Sequence, residues 1–177
     1  IIADDGSTDD SRARAAELAR QDPRVVAIGR EHNCGRGQTV EDGLRVARGR
    51  FVGFIDTDME IPPENILAML LALERGADVV IGFRVYTLDM NYTYRWIISL
   101  VYAKMMKYML NLPYADTEAG IKFFRRDSIL PILAQVTAKG WPWDTEIVVK
   151  SFHAGLKFEE VLVTVVKRPG VPSTVKL

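Results

Sequence analysis

The chain has 177 residues, and its 23 lysines and arginines balance 23 aspartates and glutamates, so the formal net charge is zero. With 48% apolar and 26% charged residues it is typical of a globular protein, and the balance excludes nucleic-acid binding driven by bulk charge. One cysteine and two histidines exclude an internal disulfide framework, a cysteine-cluster zinc site and a histidine-rich metal site.

Short apolar runs alternate with helical patterns along the chain. In the first half we predict, in order, strand Ile1–Ala3, helix Ser11–Arg20, strand Arg24–Gly29, helix Gly37–Arg48, strand Phe51–Ile55, helix Pro62–Glu74 and strand Asp78–Gly82. The second half is predicted to form helix Tyr94–Leu110, strand Gly120–Phe124, helices Asp127–Ala138 and Thr145–His153, and strand Lys157–Val166. The alternation predicts one α/β domain over residues 1–177, with a Rossmann-like, mostly parallel sheet flanked by helices.

Acidic clusters follow two of these strands, and ligands of open parallel sheets bind at the carboxyl ends of strands. Asp4 and Asp5 follow the first strand, and Asp56-Thr57-Asp58 follows the third, with Glu60 two residues later. Two carboxylates one residue apart repel each other unless a cation neutralises them, and carboxylate oxygens suit magnesium or manganese. The triplet therefore indicates either a metal that bridges the protein to a diphosphate or a solvated acidic turn that caps the next helix.

Basic residues provide candidate phosphate contacts. The Gly-rich segment at 33–37 opens a helix, but its spacing is not that of a known phosphate loop, and a tight turn is the favoured interpretation. Arg84 directly follows a strand, while Arg95 and Ser99 share one helix face and could hold a second phosphate. The apolar run at 96–110 is too short and too charged to span a bilayer, so it is expected to pack in the core or lie at a membrane interface.

The order of these motifs resembles that of family 2 glycosyltransferases with the GT-A fold. The motifs are Asp4-Asp5-Gly6-Ser7-Thr8-Asp9, the glycines at 35, 37, 43 and 49, and Asp56-Thr57-Asp58. Three later segments are similar to the dolichyl- and polyprenyl-phosphate mannosyl- and glucosyltransferases: VVIGFR at 79–84, DTEAGIKFFR at 116–125 and WDTE at 143–146. The tail from Arg168 to Leu177 is similar to the closing basic segment of those enzymes.

The resemblance implies an inverting, metal-dependent hexosyltransferase. It would move a sugar from GDP-mannose or UDP-glucose to a polyprenyl or dolichyl phosphate at the cytoplasmic face of a membrane, with magnesium or manganese as cofactor. The implied donor-binding residues are Asp4, Asp5, Asp56, Thr57, Asp58, Arg84, Arg168 and Lys176, and the implied acceptor-phosphate residues are Arg95 and Ser99. The implied metal ligands are Asp56, Asp58 and Glu60, and the candidate catalytic carboxylates are Asp56, Asp58, Asp116 and Asp144.

One departure from the family and two other functions are weighed. The family's opening strand is absent from the sequence, so we expect a fragment that lacks the N-terminal strand of the fold. Haloacid-dehalogenase phosphatases also place Asp-x-Asp after a strand, but that strand is their first, whereas here two predicted strands precede the strand that leads into Asp56. A membrane-associated binding or scaffold domain of the same fold, without turnover, is the non-enzymatic alternative.

Overall fold

The computed structural model describes residues 1–85, 112 and 116–166. Its strands are β1 (Ile2–Asp4), β2 (Ala27–Gly29), β3 (Phe51–Ile55), β4 (Val79–Val85), β5 (Ile121–Arg125) and β6 (Phe158–Thr164). Its helices are α1 (Ser11–Gln21), α2 (Arg36–Val46), α3 (Asn65–Glu74), α4 (Arg126–Leu133) and α5 (Pro142–His153). The helix predicted at Tyr94–Leu110 lies outside the described residues.

The strands form two sheets. β1 and β2 pair in parallel, and the other four strands follow the order β3-β5-β4-β6. β5 is antiparallel to both β3 and β4, and β4 is parallel to β6, so three strands of the larger sheet run in one direction. The predicted α/β fold with a mostly parallel sheet is confirmed. The reversed direction of β5 was not predicted, because an apolar run has the same appearance in either direction.

Helices cover both faces of the larger sheet. Alternate residues of β4 point to opposite faces: Val79 and Ile81 pack in one apolar cluster, and Val80 packs in the other. Residues of α2, α4 and α5, including Trp143, build the first cluster, and Met69 and its neighbours on α3 build the second. This burial on both faces is why β4 begins with a continuous apolar run, Val79–Ile81.

Two helix boundaries differ from prediction for identifiable reasons. α4 ends at Leu133 rather than at residue 138, because the backbone N–H groups of Thr137 and Ala138 donate to the Glu146 carboxylate at 3.0 and 2.7 Å instead of continuing the helix. α5 begins three residues early, with Pro142 in its first turn, where no backbone N–H is needed. In the part of the chain that the structure describes, no helix has the length and apolar character to cross a membrane.

Candidate active site

Asp4, the last residue of β1, and Asp5, which follows it, stabilise the loops around them. Asp4 is 9% exposed, and its carboxylate accepts the backbone N–H of Ser7 at 3.2 Å. Asp5 contacts residues about 30 positions later in the sequence: its two carboxylate oxygens accept hydrogen bonds from the backbone N–H groups of Cys34 at 2.8 Å and Gly35 at 3.0 Å. The carboxylates predicted to contact the nucleotide therefore also connect the β1 loop to the start of α2, and their role toward a nucleotide remains a prediction.

Glycines of the 33–37 segment permit a close approach between α2 and α5. Gly35 has φ +97°, and a Cβ there would lie 2.6 Å from the Lys139 carbonyl oxygen. A Cβ on Gly37 would lie 2.2 Å from the Cβ of Trp143, which is fully buried. The geometry agrees with the interpretation of this segment as a tight turn, and it brings the residue between the two glycines, Arg36, to the end of β3.

Arg36 joins two of the predicted aspartates. Its Nε and Nη2 donate to Oδ1 of Asp56 at 3.1 and 2.8 Å, and its Nη1 donates to Oδ2 of Asp144. The rings of Phe54 and Trp141 lie 5.2 and 5.5 Å from the guanidinium carbon, within the range of cation–π attraction. The Arg36 side chain is 19% exposed, so its charge is neutralised mainly by these two carboxylates.

Asp144 has a second cationic partner. The fully buried Lys122 on β5 donates from Nζ to Asp144 Oδ1 at 2.5 Å and to the carbonyl oxygen of Ala119 at 2.7 Å. Burial lowers the pKa of the Lys122 ammonium, and the Asp144 carboxylate opposes that shift. Arg36, Asp56, Lys122 and Asp144, which we name the charge cluster, contain two cations and two carboxylates.

Sequence reasoning found the two aspartates of the charge cluster and missed its two cations. Arg36 lies 20 residues from Asp56 and 108 from Asp144, and Lys122 lies 22 residues from Asp144. Lys122 interrupts an apolar strand, and a charge at such a position requires a buried partner. That signal indicates an ion pair but does not identify its partner.

Asp56 is held closely on two sides. A Cβ on Gly120 would lie 2.3 Å from Asp56 Oδ2, so this carboxylate packs against the glycine backbone on one side and Arg36 on the other. Burial raises the pKa of Asp56; Arg36 opposes that shift, and the charges of Asp58 and Asp144 add to it.

The residues after Asp56 form an exposed turn. Thr57, Asp58 and Glu60 are exposed, and Asp58 Oδ1 accepts the N–H of Glu60 at 3.0 Å. The turn does not cap α3, which begins at Asn65 without a side-chain cap. Within the described ranges no three Asp, Glu, His or Cys side chains are assembled as a metal site, so Glu60 as third ligand remains a prediction. The hard carboxylate oxygens of Asp56 and Asp58 fit magnesium or manganese.

Arg84 lies within β4, not after the strand as predicted, because the strand continues to Val85, and it forms an ion pair with Asp116. The guanidinium donates from Nε and Nη2 to the two Asp116 oxygens at 2.6 and 2.7 Å, and the Arg84 backbone N–H also contacts Asp116 at 3.3 Å. Both oxygens of Asp116 therefore accept hydrogen bonds from a cation, as do those of the 2% exposed Asp144. Both carboxylates are therefore held in ion pairs, and their role as general bases remains a prediction.

A cavity of about 540 Å³ lies along α5, next to the charge cluster. Trp141, Thr145, Lys150 and His153 are among the residues that line it. Trp141 is half exposed and also covers Arg36, so one ring borders both features. The remaining predicted site residues, Arg95, Ser99, Arg168 and Lys176, lie outside the described residues.

Comparison with known proteins identifies the family. Residues 1–132 match the family described as Glycosyl transferase family 2. The chain is 29% identical over 177 residues to the polyprenol monophosphomannose synthase of Mycolicibacterium smegmatis, covering 95% of this chain and 66% of that protein. It is 25% identical over 173 residues to the dolichyl-phosphate beta-glucosyltransferase ALG5D of Trichomonas vaginalis, covering 92% and 53%. It is also 27% identical over 164 residues to the glycosyltransferase AglD of Haloferax volcanii, covering 90% and 26%.

The fold is shared with a solved glycosyltransferase. Glucosyl-3-phosphoglycerate synthase from Mycobacterium tuberculosis superposes with a TM-score of 0.66 at 20% identity, over 94% of this chain and 60% of that one. Its complex with Mn²⁺, UDP-glucose and phosphoglyceric acid gives 0.65 at 18% identity, over 94% and 59%. This likeness confirms the predicted GT-A fold.

The chain spans between 26 and 66% of the length of these three curated relatives. The family match nevertheless covers most of the chain and includes both acidic motifs, after β1 and after β3, on which the resemblance rests. The chain belongs to glycosyltransferase family 2.

Proposed function

We propose that the chain is the catalytic domain of an inverting hexosyltransferase that moves a sugar from a nucleotide-diphospho-sugar to a polyprenyl or dolichyl phosphate. The observation that carries the proposal is the pair Asp56 and Asp58 at the carboxyl end of β3, of which Asp56 belongs to the charge cluster. GDP-mannose and UDP-glucose are the proposed donors, in keeping with relatives named as a polyprenol monophosphomannose synthase and a dolichyl-phosphate beta-glucosyltransferase.

The proposed metal ligands are Asp56 and Asp58, with Glu60 as a third. A bound magnesium or manganese ion would stabilise the negative charge that the diphosphate leaving group develops. A solved structure of the same fold holds Mn²⁺ and UDP-glucose, which supports a divalent cofactor here. We propose donor contacts for Asp4, Asp5, Thr57, Arg84, Arg168 and Lys176.

The proposed acceptor does not need a strong general base. A phosphate monoester is already largely ionised at neutral pH, so its oxygen can attack the sugar without losing a proton. This chemistry agrees with the geometry of Asp116 and Asp144, whose oxygens are all bonded to cations. We assign these two aspartates to holding Arg84 and Arg36, and we propose Arg95 and Ser99 for the acceptor phosphate.

The proposed acceptor is a membrane lipid, so we expect the protein to work at the cytoplasmic face of a membrane. The relatives named for polyprenol and dolichyl phosphate support a lipid acceptor, whereas the face of the membrane is our proposal alone. Binding to vesicles that contain polyprenyl phosphate, compared with vesicles that lack it, tests it. Equal binding to both would contradict acceptor recognition.

The decisive experiment is a donor screen with polyprenyl phosphate, repeated for Asp58→Ala. Asp58→Ala removes a proposed metal ligand and should abolish metal-dependent transfer. It should leave the fold intact, because Asp58 is exposed and its side chain accepts one local hydrogen bond. Asp127→Ala removes a similar carboxylate from α4, where it is 93% exposed, and should leave transfer unchanged. Undiminished transfer by Asp58→Ala would contradict the metal assignment, and nucleotide binding without any transfer would favour the scaffold alternative.

A further inference from the structure

The two oxygens of Asp56 have different surroundings. Oδ1 accepts two hydrogen bonds from the Arg36 guanidinium, at 2.8 and 3.1 Å. Oδ2 lies against the Gly120 backbone, so closely that a Cβ there would overlap it. A divalent cation on either oxygen of Asp56 would therefore lie next to the Arg36 guanidinium.

Arg36 has a second anchor that remains if it leaves Asp56. Its Nη1 donates to Oδ2 of Asp144, which is buried and held from its other oxygen by Lys122. The aromatic rings of Phe54 and Trp141 flank the guanidinium. Release from Asp56 would thus leave neither Arg36 nor Asp144 as an unpaired buried charge, which is the costly outcome in a protein interior.

The charge cluster is neutral without a metal, with two cations and two carboxylates. A divalent cation on Asp56 would add two positive charges next to Arg36. At a separation of about 5 Å, the repulsion between a divalent and a monovalent cation exceeds the energy of a tenfold affinity change even at the dielectric constant of water. Arg36 therefore opposes metal binding at Asp56 for as long as it stays there.

We propose that Arg36 is a positioning residue that takes the place of the metal: it neutralises and orients Asp56 while no divalent cation is bound, and it retreats onto Asp144 when one binds. This inference rests on the proposed function, because it assumes the metal site at Asp56 and Asp58. It assigns to Asp144 and Lys122 the task of keeping Arg36 next to the site. It also explains how a half-buried carboxylate stays oriented before its cofactor arrives.

The test measures the affinity of nucleotide-free protein for Mn²⁺ by electron paramagnetic resonance. Arg36→Gln removes the competing charge and should bind Mn²⁺ about tenfold more tightly than the wild type. Arg36→Lys keeps the charge and should stay within about twofold of the wild type. The matched control is Arg30→Gln, which removes an equal charge that pairs with Asp42 rather than with Asp56 and should leave the affinity unchanged.

A merely structural role for Arg36 predicts the opposite sign, because a disturbed site binds metal more weakly. Equal or weaker Mn²⁺ binding by Arg36→Gln would overturn the proposal, as would the absence of Mn²⁺ binding in both proteins. If Arg36→Gln does not fold, the wild type can be titrated with Mg²⁺ while the Arg36 Nε–H signal is followed by NMR. The proposal requires that signal to shift as its bond to Asp56 is lost, and an unchanged signal would overturn it.

The Mn²⁺ measurement tests the role of Arg36 separately from the proposed function, because sugar transfer is assayed independently. Tighter Mn²⁺ binding by Arg36→Gln in a protein that transfers no sugar would support the role of Arg36 and contradict the proposed function. Sugar transfer by a protein whose Mn²⁺ affinity does not rise in Arg36→Gln would overturn the role of Arg36 alone.

Discussion

Gly120→Ala is expected to damage the site and spare the fold. The new Cβ would lie 2.3 Å from Asp56 Oδ2 and 2.9 Å from its Cγ, whereas ordinary contacts begin near 3.4 Å, so the carboxylate must retreat by about 1 Å. The atoms it meets belong to the end of a side chain, so the backbone can stay in place. The retreat disturbs the hydrogen bonds from Arg36 and the position of the proposed metal ligand.

The expected magnitudes differ sharply between stability and function. Overpacking against one side chain should lower the free energy of unfolding by about 1 kcal/mol. A displacement of about 1 Å at a reacting centre can cost about 100-fold in rate. We therefore expect sugar transfer to fall about 100-fold, and the affinity for Mn²⁺ to fall with it, in a protein that still unfolds cooperatively.

Urea denaturation, Mn²⁺ titration and a transfer assay with polyprenyl phosphate measure the three quantities on one preparation. Gly43→Ala is the control, because its Cβ meets no described atom within 4 Å. Transfer and Mn²⁺ affinity within about threefold of the wild type in Gly120→Ala would refute the placement of Asp56 at the centre of the site. A loss of cooperative unfolding would refute the argument that the side chain alone gives way.

Three further predictions concern stability, and urea denaturation measures each. Gly37→Ala should lower the free energy of unfolding by about 3 kcal/mol, because its Cβ overlaps a buried tryptophan. Gly43→Ala, on the same helix, should raise it by about 1 kcal/mol. Effects of the same sign would contradict the packing of α2. Lys122→Met leaves the buried Asp144 with one cationic partner and should cost about 3 kcal/mol, and a loss below about 1 kcal/mol would contradict the ion pair. Burial raises the pKa of Glu146, but hydrogen bonds from backbone N–H groups outweigh burial and lower it. Glu146→Gln should therefore remove about 2 kcal/mol of stability. This stabilisation should be fully present above the ordinary pKa of glutamate, about 4.3. It should disappear as the pH falls through the lowered pKa, and a difference between the two proteins that does not depend on pH would contradict this cause.

The sequence predicted most of the fold because buried strands and helix boundaries leave local patterns. The β3 and α5 segments were predicted within a few residues, and the family followed from motifs at strand ends. The end of α4 was missed because a carboxylate on α5, Glu146, binds the N–H groups that would have continued the helix. A helix stop that depends on another element leaves no local signal.

The candidate site likewise contains residues that a local sequence pattern indicates and residues that only contacts between distant segments bring there. Asp56 and Asp58 were singled out because two carboxylates after an apolar strand indicate either a metal site or an acidic turn, and their role as ligands remains a prediction. Arg36 was not found, because an arginine between two glycines is an ordinary turn residue until α2 packs against α5 and brings it to Asp56 and Asp144. The pairing of Arg84 with Asp116 was missed for a similar reason, since the partners are 32 residues apart.

The sequence by itself determined the neutral composition, the α/β class, the family, and the carboxylates that face the proposed metal. The tertiary structure decided what those carboxylates are bonded to. Composition and periodicity report on burial and local geometry, which depend on neighbours along the chain. The partner of a buried charge depends on which distant segments pack together. Composition gives only equal numbers of acids and bases, whereas the tertiary structure pairs four of these charges with one another at the end of β3.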